Sequence, residues 1–217
     1  MTESFDTNIY GQNAYQFLQV FHDENPEAKS QMSNGHDKDV ITNAFDTLDF
    51  AFHDVIPDDR EDYIQISGRQ NNERKNKFIK AKYIKEHENL KKWKVFVPKA
   101  NGTGAIGEVL STPLIGEPLI GHTQTYISIG KFDTQLEAEN CMKYIKSKFA
   151  RAMLGILKIT QDNPAPKWKK VPLQDFTPTS DIDWTKSIPE IDQQLYAKYG
   201  LSQDEIAFIE EKVKVMA

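Results

Sequence analysis

Arg69 follows Gly68 directly, so a planar guanidinium fork sits beside a freely rotating backbone. That fork suits bidentate contact with phosphate or guanine better than a lysine would. Lys94 and Lys99 bracket the apolar run Val95-Phe96-Val97-Pro98, and Asn101-Gly102-Thr103-Gly104-Ala105-Ile106-Gly107 follows. In that loop, backbone amides and the side chains of Lys99, Asn101 and Thr103 could meet a DNA backbone or base edge. His122, Gln124 and Tyr126 form a polar row near the start of an apolar segment. Lys143, Lys146, Arg151 and Lys158 recur through a helical pattern, and Lys167-Trp168-Lys169-Lys170 interleaves an aromatic with three lysines. The chemistry shared by these residues is contact with something flat, polar and anionic. Arg69, Lys94, Lys99, Lys146, Arg151 and Lys169 are expected to position phosphates. The residues around 101–104 and 122–126 are expected to specify sequence.

Other chemistries fit less well. The glycine loop lacks the spacing and the Lys-Ser/Thr pair of a triphosphate-binding loop. The residues after the loop read as strand, not the helix a dinucleotide fingerprint needs. A tight turn is its bland reading. His122 has no neighbour at metal-ligand spacing, so a zinc site is not expected. No pair of carboxylates with a nearby lysine stands out as a nuclease metal site.

The elements carrying these residues read as α+β: a small mixed β-sheet, a long amphipathic helix and a C-terminal helical hairpin. Tyr63 to Arg69, Trp93 to Pro98, Ile106 to Leu110, Thr123 to Ile129 and Val171 to Leu173 read as strands. A basic helix is predicted from Asn71 to His87, with Phe78, Ala81 and Ile84 or Tyr83 as its apolar stripe. Around it stand Arg74, Lys75, Lys77, Lys80, Lys82 and Lys85, whose bland reading is a solvated face. The long helix is predicted from Gln135 to Ile159, opened by a Thr134/Glu137 capping box. Cys141, Ile145, Phe149, Ala152, Ile156 and Ile159 mark its apolar stripe, which leaves Lys143, Lys146, Arg151 and Lys158 on the other side. Ser187 with Glu190, Gly200, and Ser202 with Glu205 punctuate the terminal hairpin.

The net charge of −5 hides segregation. Residues 1–62 carry 14 acidic and 3 basic side chains, a net of −11. Residues 67–99 carry 11 basic against 3 acidic, and residues 141–170 carry 8 against 1, nets of +8 and +7. Local fields meet a polyanion, because a Debye length is only about 8–10 Å. The acidic segment reads as a solvated face, a docking surface, or a mask over the basic one. The only cysteine, Cys141, fits a reducing cytoplasm. No apolar run approaches a membrane span, so a cytoplasmic protein without membrane contact is expected.

KVFVPKANGTGAIGE, IGEPLIGHTQTYISIG, KYIKSKFARAMLGILKITQDNP, WKKVPLQDF, DIDW and YAKYGLSQDEIAFIE occur in one order. Together they resemble the C-terminal target-recognition region of bacterial restriction–modification DNA adenine methyltransferases, including fused type II methylase–nuclease enzymes. The resemblance runs from about Tyr63 to Met216 and is most specific from Trp93 to Phe176. Residues 1–62 lie outside it. Composition sets apart an acidic N-terminal segment (1–62), and the resemblance implies a DNA target-recognition domain (63–180) and a closing hairpin (181–217) after it. It also implies double-stranded DNA and a methyltransferase/endonuclease module as partners. S-adenosylmethionine, and Mg for a nuclease, would belong to that module. Asn163-Pro164-Ala165 departs from the Pro-Pro-aromatic catalytic motif of such enzymes, so no activity is expected from this chain alone and the missing motifs point to a piece of a larger enzyme. Two alternatives stand beside this reading. One is a protein-interaction module whose acidic and basic blocks pair with each other. The other is a nuclease or intact methylase with an unrecognised site.

Overall fold

In a computed structural model of the protein, residues 3–32, 35–100, 102 and 104–216 are described. The fold is α+β, and the described residues form two sheets. Strands β1 (Ile9–Tyr10), β4 (Trp93–Pro98), β5 (Leu114–Gly116) and β7 (Tyr126–Phe132) form an antiparallel sheet in the order β1-β7-β4-β5. Strands β2 (Tyr63–Gln70), β3 (Glu73–Lys80) and β6 (Ile120–His122) form a mixed sheet in the order β3-β2-β6. In it β2 pairs antiparallel with β3 and parallel with β6.

The expected basic helix is therefore a β-hairpin. Asn71 and Asn72 both take positive φ, 50° and 65°, between strands that flank them at Gln70 and Glu73. A two-residue hairpin loop of type I′ needs φ above zero at both central positions, and asparagine tolerates this better than most residues. Ile106 to Leu110 forms no strand, and Val171 to Leu173 contributes only a bridge from Pro172 to Ser4. Residues 123–125 are the turn into β7.

On the first sheet pack α4 (Gln135–Lys146), α5 (Lys148–Gly155), α6 (Ile188–Lys198) and α7 (Gln203–Lys212). The expected long helix is divided at Ser147, whose hydroxyl accepts the Ala150 N–H and caps α5. Asp192 from α6 accepts the N–H groups of Lys148 and Phe149 at the same end. Four free amides at a helix start need such acceptors. After α5 the chain leaves the core, so Ile156 and Ile159 are exposed and extend no stripe. The capping boxes at Thr134, Ser187 and Ser202 all form, and Gly200 ends α6 with φ of 62°.

The second sheet is covered by residues from the acidic segment. Three short helices, α1 (Gln19–Glu24), α2 (Ala28–Gln31) and α3 (Ala44–Thr47), bring Phe21, Ala28 and Phe45 against Ile64, Ile66 and Ile79. Phe17 and Phe21 stack with centroids 4.1 Å apart. Phe5 and Ile9 belong to the other core, beside Trp168 and Ile129. Residues 3–62 thus contribute to both cores. Among the described residues no helix is long and apolar enough to cross a membrane.

Candidate nucleic-acid interface

The basic residues separate into three environments. In the first they are consumed inside the fold. Lys94 is fully buried, and its ammonium donates to the carbonyls of Asn89, Leu90, Lys92 and Glu117 at 2.9–3.1 Å. Burial pulls its pKa down to about 7. It clamps the turn before β4 to the β5–β6 crossover and is out of reach of a phosphate. Arg151 is buried as well, donating to the carbonyls of Lys146, Glu108 and Lys214. Lys158, also buried, lies 3.7 Å from the Glu108 carboxylate. Lys143 is half-buried and donates to the Trp184 carbonyl at 2.6 Å. The continuous basic face expected on the long helix does not exist: the break at Ser147 turns Arg151 inward.

The polar row at 122–126 is likewise internal. His122 is fully buried between the sheets, with Nδ1 donating to the Thr123 carbonyl and Nε2 accepting from Ser128. Asn89 donates to that same Ser128 hydroxyl and accepts from Tyr15 at 2.6 Å. Burial lowers the His122 pKa to about 3, so the ring is neutral. Tyr126 is 1% exposed, and burial raises its pKa against the opposing charges of Arg74 and Arg69. Gln124 donates to Asn13 and to Asp39 of the N-terminal segment. These residues hold the seam of the molecule, and none presents a base-reading edge.

The second environment is ionic pairing. Lys77 meets Asp54 at 2.9 Å, Lys80 meets Asp59 and Glu61, and Lys82 meets Glu24 and Glu61. These partners all belong to residues 1–62, so the acidic segment neutralises the base of the β2–β3 hairpin within one chain.

The third environment is the hairpin's outer end. Arg69 and Arg74 are direct cross-strand partners, and both are exposed. Among the described residues neither guanidinium has a carboxylate partner. Each uses one Nη2 donor on a carbonyl, Arg69 on Asn72 at 2.6 Å and Arg74 on Thr112 at 3.1 Å. Five N–H donors per guanidinium leave most of both forks open. Like charges directly opposite on a hairpin cost stability unless an anion joins them. Strand alternation places Gln65, Ser67 and Arg69 on one face with Phe78, Asn76 and Arg74, and Ser67 donates to Asn76 Oδ1 at 2.7 Å. Arg74 and Asn76 went unrecognised in the sequence because a helical reading scattered them around a cylinder. Two apolar-and-charged runs either side of Asn71-Asn72 were the available signal.

The glycine loop runs beside this end through the Arg74–Thr112 bond. Gly104 (φ 95°) and Gly107 (φ 78°) are required there by close packing. A Cβ at Gly104 would stand 2.5 Å from the backbone carbon of Ile159, and one at Gly107 would stand 2.3 Å from the Lys212 carbonyl oxygen. The Gly104 amide donates to Glu108 rather than facing outward. Gly102 is exposed, while Asn101 and Thr103 lie outside the described residues. Lys99 is half-buried, with its backbone tied to Thr125 and Asn163. Lys169 and Lys170 are exposed and Lys146 and Lys167 half-exposed, on the helical side with buried Trp168 anchoring the 165–170 turn.

No protein-family model, curated protein or solved structure matches this chain. Among the described residues no group of three or more His, Cys, Asp or Glu is placed to hold a metal ion. A cavity of about 480 Å³ lies between α4 and residues 177–185, and Lys143 in its wall is already bonded to Trp184. At the hairpin end, two opposed guanidiniums keep donors open, an arrangement whose chemistry suits an anion.

Proposed function

We propose that the chain is a sequence-specific duplex-DNA recognition domain of a restriction–modification enzyme, serving a methyltransferase/endonuclease module and carrying no catalytic motif itself. S-adenosylmethionine and Mg would be used by that module. The observation that carries the reading is the pair Arg69–Arg74, opposed across an exposed hairpin while the neighbouring lysines are matched by carboxylates. A major groove about 12 Å wide admits a two-stranded ribbon, and arginine is the commonest reader of guanine within it. Gly102, Lys99 and the loop to Thr112 would lie along the same DNA. Lys167, Lys169 and Lys170 would meet phosphates only if the duplex extends to the helical side.

Fluorescence anisotropy with a randomised duplex across a salt series tests this. Binding that weakens with salt, with a log–log slope of several units, is expected, since each neutralised phosphate contributes about 0.9. Absence of binding at low salt sinks the reading. The pairing of Lys77, Lys80 and Lys82 with the acidic segment favours a second reading for that part of the surface, an internal charge latch with no role in DNA contact.

A further inference from the structure

We propose that the outward face of β3 reads bases directly, Arg74 taking a guanine and Asn76 an adenine two base steps away. This rests on the duplex-DNA reading above and adds to it the composition of the target.

Strand β3 is the edge of its sheet, bridged on its outer side by His53 at Phe78, with Arg74 and Asn76 beyond that bridge, whereas β2 is backed by β6 over 65–67. The edge strand therefore enters a groove first. Residues two apart on one strand project from the same face about 6.6–6.8 Å apart. Two base steps of B-DNA span about 6.8 Å. Arg74 and Asn76 are such a pair, and both are exposed. The arginine fork matches guanine O6 and N7, and the asparagine amide matches adenine N6 and N7.

The asparagine is held for that purpose. Ser67, itself buried, donates to Asn76 Oδ1 at 2.7 Å. A carbonyl oxygen has two lone pairs, so one remains for an adenine N6–H while the amide nitrogen stays a donor for N7. Ser67 is thus a positioning residue, fixing which way the amide points. Arg74 is held by the Thr112 carbonyl through one nitrogen, which leaves its remaining edge to the base. Arg69 stands level with Arg74 but one strand to the side, toward the wall of the groove, and takes a phosphate.

The test is enrichment of bound sequences from a randomised duplex library, using the full chain and the variants Arg74→Ala, Arg74→Lys, Asn76→Ala and Arg69→Ala. The wild-type protein should enrich a motif holding a G·C pair and an A·T pair with one base pair between them. Arg74→Ala should lose the G·C preference by about tenfold to hundredfold and keep the A·T preference. Asn76→Ala should do the reverse. Arg74→Lys should keep the salt slope and blunt the G·C preference, because the charge stays and the fork goes. Arg69→Ala should keep both preferences and flatten the slope by about one unit. Position-74 and position-76 variants that weaken binding equally on all sequences would overturn the readout while leaving DNA binding intact. A wild-type chain that binds no duplex would remove both the readout and the function beneath it.

Discussion

The two ends of the β2–β3 hairpin carry the same sign of charge and treat it in opposite ways. At the base, Lys77, Lys80 and Lys82 are tied to Asp54, Asp59, Glu61 and Glu24. At the tip, Arg69 and Arg74 face each other with no carboxylate between them among the described residues. A field inferred from composition would treat these alike, as one block of +8. One block of positive charge thus divides in the fold into a neutralised part and an open part.

The contrast is tested most directly at the tip. Arg69→Ala with Arg74→Ala should weaken duplex binding by about a hundredfold at fixed salt, roughly 2.7 kcal/mol, while the melting temperature stays constant or rises as the repulsion is relieved. A fall of several degrees would make the pair structural. The seam behind the hairpin should respond to acid instead. The native pKa of His122 is about 3, below the ordinary 6.5, so stability is complete above pH 6.5 and is lost as pH falls toward 3. The slope should approach about 1.4 kcal/mol per pH unit. Urea midpoints in His122→Gln should flatten with pH over that range, and an unchanged slope would assign the acid sensitivity elsewhere. At the base, Lys77→Ala should cost about 1–2 kcal/mol, chiefly through the packing of its buried stem, with DNA affinity unchanged. A matching loss of affinity in a folded variant would extend the binding surface downward. Smallest of all, Asn72→Gly should raise stability by about 0.5 kcal/mol, because glycine adopts positive φ without strain.

The parts of the fold legible in sequence were those settled by near neighbours. Thr134, Ser187 and Ser202 meet acceptors or donors three residues away, and Gly200 supplies its own φ. The hairpin was hidden because Lys77 points inward, which blurs the two-residue alternation. What permits that is Asp54, 23 residues earlier in the chain. Lys94 and Arg151 looked like surface charges because their partners are backbone carbonyls, which carry no letter in a sequence. Four such carbonyls surround the first and three the second. Ser147 was the one visible clue that the long helix would divide, since a serine inside an apolar pattern favours a cap over a continuing turn.

The alternation along β3 also bears on how such a protein changes over generations. Positions 74 and 76 are exposed, past the His53–Phe78 bridge at the edge, while 77 and 79 are buried and hold the strand to its neighbours. On the readout proposed above, exchanges at the outward positions would rewrite the target without a cavity opening or a strand shifting beneath them. A family built on this hairpin could diversify its vocabulary two letters at a time on a scaffold that never needs to refold.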